Sequence, residues 1–257
     1  MAQPASEFNL EEYILQHVQS STEWHLPFLP PVHLPSFLPV HGLMLLIAAA
    51  LLLLLFCVLY RKEQKVPTGA TNMLEAVVLF IRDKISIANL GEKDGREYTP
   101  FFCTLFFFIL TLNIMGLFPI FPSATANINV TAALALITFT LMTVVAMSRI
   151  GVAAYFRHFV IPDLPLFMQM LLFPLELFSL FTRGFALAIR LFANMLAGHM
   201  MTLAFLGLIT ILGIIAAPSL FMAILINVME VLVAVLQAFI FTLLSAVFIG
   251  QMYRTQH

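Results

Sequence analysis

From residue 164 to residue 252 the chain carries only four charged side chains, Glu176, Arg183, Arg190 and Glu230, in an otherwise apolar sequence. An ionised group in hydrocarbon is expensive, roughly 2.5–3.5 kcal/mol for an arginine at a helix centre on insertion scales. Such a group therefore faces a partner or a water-filled cavity. The segment 176–199 concentrates them, with Asn194 and His199 beside Glu176, Arg183 and Arg190. At ~100° per residue, Glu176 and Arg190 nearly share a helix face, Asn194 lies about 40° from Arg190, and His199 points roughly opposite it. Arg183 can be read as an end-of-helix side chain whose head reaches the interface. Arg190 resists that reading, because apolar sequence continues beyond it to Ala217.

Composition points the same way. Of the 257 residues 61% are apolar and only 10% charged, which excludes an ordinary soluble domain and predicts an all-α integral membrane protein. A net charge of -1 argues against a nucleic-acid partner. Cys57 and Cys103 sit inside apolar runs and read as packed thiols. The N-terminus lacks a basic segment followed by an apolar one, so no cleavable signal peptide is expected. No cofactor is expected either. His17, His25, His33 and His41 are scattered among prolines without paired ligand spacing, which does not describe a metal site.

Hydropathy and turn residues divide the chain into a polar, proline-rich segment over 1–40 and a membrane domain over 41–257. A short amphipathic piece at 8–18 is suited to a membrane surface. Helices are expected at about 41–60, 98–118, 129–147, 164–215 and 218–252, each able to reach across hydrocarbon. Residues 72–89 form an amphipathic sixth helix. Leu74, Val77, Val78, Ile81, Ile85 and Ala88 follow the helical period, Asn72 and Glu75 offer a capping box, and several charges exclude a span. Residues 92–97 read as a solvated loop and 119–128 as an uncharged external one, with Ser123 open to the outer solution. Ten of the 12 Lys and Arg then fall on one side, which places the N-terminus outside and the C-terminus in the cytoplasm. The last two runs are too long for upright spans, since 174–215 alone would reach about 60 Å. They either break at Gly184, Gly198 or Gly207 or lie tilted.

The run Arg190-Leu191-Phe192-Ala193-Asn194-Met195 with Gly198-His199, followed by Leu236-Gln237-Ala238-Phe239-Ile240-Phe241, resembles subunit a of F-type ATP synthases. Ala126-Asn127-Ile128-Asn129-Val130-Thr131 is similar to that family too, and the likeness extends from about His41 onward. The resemblance implies a non-catalytic stator subunit whose last two helices form a tilted hairpin against a rotor ring of c subunits. It also implies b-type peripheral stalk subunits, the remainder of the ATP synthase and the lipid bilayer as partners, in a bacterial inner membrane. Asn113, Asn127 and Asn129 either join helices or line a wet access route, and the joining role suits Asn113 best.

On the last helix Glu230 and Gln237 are seven residues apart and so share a face. Among Val228, Met229, Val231 and Leu232, an ionised Glu230 needs water or a partner, which suits a proton-relaying acid. The family implies a proton path in which Arg190, Glu230, His199, Glu176, Asn194 and Gln237 take part. His199 and Glu230 would be neighbours on the outer access path, with Glu176 toward the inner exit and Arg190 between. The His199–Glu230 pair favours protons over sodium as the coupling ion. A self-contained channel or secondary transporter is the alternative; it would show its own filter or an internal repeat, and neither is evident in the sequence.

Overall fold

A computed structural model describes residues 23–24, 32–33, 35, 39–59, 69–118, 121–152, 155, 165–213 and 217–254. Two short strands, β1 (Glu23–Trp24) and β2 (Val32–His33), pair antiparallel with Glu23 opposite His33. Everything longer is helical: α1 (Val40–Leu59), α2 (Ala70–Phe80), α3 (Glu92–Leu117), α4 (Ile128–Ile150), α5 (Leu166–Leu212) and α6 (Ala217–Arg254). Five of these, α1 and α3 to α6, are long and apolar enough to cross a membrane. The expected surface helix at 8–18 and the basic residues Arg61, Lys62, Lys65 and Arg157 lie outside the described residues.

The chain divides into two compact units. The first contains Met1–Leu51, Leu110–Thr131 and Arg190–Leu236; the second contains Leu52–Ile109, Ala132–Ile189 and Gln237–His257. Val40, Met44 and Ala48 of α1, Leu112 and Met115 of α3, and Leu191 and Met195 of α5 are buried in the first. Ile81, Ile85, Phe102, Ile109, Phe241 and Ile249 are buried in the second.

The amphipathic helix differs from expectation at both ends. It starts at Ala70 behind Gly69, whose φ of 65° no β-carbon-bearing residue adopts readily, and no side chain caps it. Asn72 and Glu75 therefore form no capping box. After Phe80 it widens into a π-helical turn over Ile81–Ile87 before a final Ala88–Leu90 turn. Leu74, Val77, Val78, Ile81 and Ile85 line its less exposed face, but Ala88 is exposed. Arg82 donates to Asp83 at 2.7 Å, which holds that exposed carboxyl below the usual carboxylate range. Ser86 and Thr99 both donate to the Gly95 carbonyl, joining the π turn to the first turns of α3.

Residues 92–97 are helix rather than loop. Gly91, at φ 88°, ends the preceding turn, and its carbonyl accepts the Gly95 N–H at 2.9 Å. Glu92 and Asp94 then occupy the first turn of α3, where carboxylates meet the positive end of the helix dipole. The segment before α4 is a second correction. Ser123, Ala124, Thr125, Ala126 and Asn127 are all buried, so Ser123, at 2% exposed, does not face the outer solution. Its sequence is uncharged but not solvated. The Asn127 side chain accepts the Asn129 N–H at 2.9 Å and so caps the start of α4.

Helix α5 runs unbroken through Pro174, Gly184, Gly198 and Gly207, and the chain turns at Gly213 with φ 62°. Its 47 residues extend about 70 Å, over twice the hydrocarbon thickness of about 30 Å. Cys57 is exposed on α1 rather than packed, and Cys103 is half-buried; Cys57 lies on an apolar helix surface that includes exposed Leu53, Leu54 and Val58.

Candidate functional site

Helix α6 buries Ala223, Glu230, Ala234, Gln237 and Phe241, a spacing of three to seven residues that holds one face inward. Glu230 and Gln237 are each 6% exposed. In the first unit the Glu230 carboxyl packs directly on Gly198 of α5. A β-carbon built at residue 198 would stand 2.5 Å from Glu230 Oε1, so any residue but glycine would displace the carboxyl. His199, half-buried, is the next residue along. Thr202, one turn after Gly198, carries a buried hydroxyl. The Thr202 hydroxyl lies beside the Glu230 carboxyl, yet among the described residues neither Thr202 Oγ1 nor Glu230 Oε1 makes a well-aligned hydrogen bond.

Three further oxygens of the same unit, Asn113 Oδ1, Ser123 Oγ and Thr125 Oγ1, are buried without a hydrogen-bond partner among the described residues. Asn113 of α3, fully buried, donates from Nδ2 to the Ala234 carbonyl at 3.4 Å, one helical turn from Glu230. One turn on along α3, a β-carbon at Gly116 would meet Ser123 Oγ at 2.7 Å. An unpaired buried polar atom costs about 1–3 kcal/mol. Water supplies such partners wherever a buried polar site has room for it. Asn113 thus joins helices, as expected, and presents a free acceptor as well.

Arg190 stands apart from this interior. Leu187, Ala188, Leu191 and Met195 form the packed stripe of α5, whereas Arg190 is exposed with Ala186, Ile189, Ala193, Ala197 and Met201. Among the described residues it makes no hydrogen bond and no ion pair. Asn194, one turn later, is half-buried. Glu176 belongs to α5, but its side chain lies outside what the structure describes. Of the residues expected from sequence, the structure brings Glu230 against the residue preceding His199. It leaves Arg190 facing outward from the chain.

Sequence reasoning missed Thr202, Ser123 and Thr125. Thr202 follows Gly198 by four residues, and that helical spacing was the available sign. Among the described residues no group of His, Cys, Asp or Glu is arranged to hold a metal ion.

The sequence model of the ATP synthase A chain family matches residues 42–250. A curated ATP synthase subunit a of Anaeromyxobacter dehalogenans is 46% identical over 194 residues, covering 74% of this chain and 51% of that protein. The subunit a of Myxococcus xanthus is 44% identical over 199 residues, covering 76% and 65%. An ATP synthase subunit a 2 of Chlorobium luteolum is 38% identical over 257 residues, covering 93% and 74%. The chain spans about half the length of the first of these relatives.

Proposed function

Because the chain belongs to the ATP synthase A chain family, we propose that it is the stator subunit of the membrane sector of an F-type ATP synthase. It forms two offset half-channels that carry protons to and from carboxyl groups on a rotor ring of c subunits. Ion flow is thereby coupled to rotation and to ATP synthesis elsewhere in the complex, and this subunit makes and breaks no covalent bond of ATP. The observation that carries the reading is the contrast between two of the charges on the long helices. Among the described residues Arg190 is exposed and unpaired on an apolar helix face, while Glu230 is enclosed beside unpartnered oxygens.

Arg190 keeps its proton at any physiological pH, so it relays nothing. It separates the two paths and draws an ionised carboxylate on the partner helix out of hydrocarbon. Glu230 and His199 pass protons on the outer path, which Thr202, Asn113 and Ser123 extend with oxygens suited to water. Asn194 lies one turn from Arg190, Gln237 shares the buried face of Glu230, and Glu176 serves the inner exit. Each elementary charge crossing supplies about 2.3 kcal/mol per 100 mV. The coupling ion is the proton.

The protein sits in a bacterial inner membrane, with residues 1–40 outside, the membrane domain over 41–257 and the C-terminus cytoplasmic, held by b-type stalk subunits. ATP synthesis per assembled complex in vesicles carrying an imposed gradient tests the reading. Arg190→Ala is expected to assemble and to synthesise no ATP, and near-normal turnover would overturn the assignment.

A further inference from the structure

A second cation on α5 has no part in the scheme above. Arg183 donates from Nη1 to Gln251 Oε1 on α6 at 2.7 Å. Its guanidinium carbon stands 5.7 Å from the centre of the Phe248 ring. Both partners are neutral. Beside it is a cavity of about 10 Å³, lined by Ala135, Thr138, Phe139, Gly184, Leu187 and Phe248. That is the space of a single water. The Thr138 hydroxyl already donates to the Leu134 carbonyl at 3.0 Å. Every side chain that α4, α5 and α6 turn toward Arg183 around this cavity is uncharged, and among the described residues Arg183 has no ion pair.

Among the described residues, then, no acid neutralises this half-buried guanidinium. A planar amide and an aromatic face hold it in place, a geometry that arginine fits and lysine fits less well. This clamp argues against a side chain free to swing to the interface. Arg183 precedes Arg190 by seven residues, so the two nearly share a face of α5 about 10 Å apart along the axis, while Phe178, Phe181 and Phe185 are exposed on the opposite side of the helix.

We infer that Arg183 is a second fixed cation, clamped by Gln251 and Phe248, which favours proton release from the carboxyl groups of the partner helix on the Glu176 side of Arg190. The inference rests on the stator reading given above and adds the residue that makes one path the releasing one. In the step concerned, the O–H bond of a partner carboxylic acid breaks. Its electron pair stays on the carboxylate, and the proton passes to water. No oxidation or reduction is involved. A nearby positive charge favours the carboxylate over the acid, so release proceeds into a solution already richer in protons. Arg183 is a positioning residue in this scheme, since no proton passes through it.

The test uses the whole complex in vesicles, with ATP synthesis driven by an imposed potential while pH on the ATP-forming side is varied. Arg183→Gln is expected to move the acidic limb of the profile upward by about one pH unit, because the neutral acid is then retained until protons are scarcer. Arg183→Lys should restore most of the shift. Gln251→Leu keeps the charge but frees it, and an intermediate shift is expected. An unmoved profile in Arg183→Gln, with only less complex assembled, would make the clamp purely structural and overturn the inference. Failure of lysine to restore the profile would do the same. Should Arg183→Gln not assemble, Gln251→Leu decides alone: a displaced limb supports the inference and an unmoved one overturns it. Normal synthesis by Arg190→Ala would instead sink the wider stator reading, whatever Arg183 does.

Discussion

At the scale of single residues, the contact between Gly198 and Glu230 makes the clearest demand. A methyl group at 198 would lie 2.5 Å from Glu230 Oε1 and 2.8 Å from its carboxyl carbon. The carboxylate is the far end of a flexible side chain, so it can move aside. Alanine in place of a mid-helix glycine also adds up to about 1 kcal/mol of helix propensity. Gly198→Ala is therefore expected to leave the amount of assembled complex unchanged. ATP-driven proton pumping per complex should fall about tenfold or more, because the acid proposed as the relay is displaced from its place. Unchanged pumping would show that the position of the carboxyl does not matter. Glu230→Gln should likewise assemble and transport slowly. If residues 199 and 230 act as one network, the exchange His199→Glu with Glu230→His should recover more transport than either single change. Strictly additive losses in that double variant would separate the two residues.

At the scale of elements, the π turn and the Ala88–Leu90 turn that follow α2 are held where two glycines admit their backbone. A β-carbon at Gly95 would meet Ile87 Cα at 2.6 Å, and one at Gly250 would meet the Asn89 carbonyl oxygen at 2.5 Å. Backbone atoms cannot step aside as a side-chain tip can, and overpacking of this kind costs about 1–3 kcal/mol. Gly95→Ala and Gly250→Ala should each lower the thermal midpoint of the detergent-solubilised complex. Gly184→Ala, which meets only the Phe139 ring at 3.7 Å, should not. Equal midpoints for all three would remove the glycine clamp from the account. Residues 92–97 show why the sequence misled there. A charged run is read as solvated loop, yet acids behind Gly91 also make a good helix start. Ser123 to Asn127 mislead for the opposite reason, since short uncharged polar residues look alike in water and in a polar interior. Arg190 and Glu230 stand out in the sequence because charge in hydrocarbon is costly. Hydroxyls do not. Thr242 and Ser245 satisfy theirs on their own helix at 2.8 and 2.7 Å, and nothing in the sequence distinguishes them from Thr202, whose hydroxyl is left unpartnered.

At the scale of the whole molecule, five helices are long and apolar enough to cross a membrane, and the proposed orientation rests on the distribution of Lys and Arg along the sequence. The charge distribution puts residues 119–128 outside, but burial makes Ser123 a poor reporter of sidedness. Asn129, exposed at the start of α4, and Lys93, exposed in the first turn of α3, are better placed. Single cysteines are introduced at each position in a background lacking Cys57 and Cys103. A membrane-impermeant thiol reagent should then label residue 129 from the outer face and residue 93 only from the cytoplasmic face. Cysteine at 123 should react slowly from either side. The native Cys57 and Cys103 should also resist the reagent, although Cys57 is exposed on the protein, because the surface around it is apolar and suited to lipid. Slow reaction at 123 with fast reaction at 129 would mean that the segment before α4 folds into the protein while α4 itself begins at the outer face. Labelling of 129 from the cytoplasm alone would invert the molecule and exchange the two proton paths. Glu230 and His199 would then open inward, and the proposed direction of release past Arg183 would be lost.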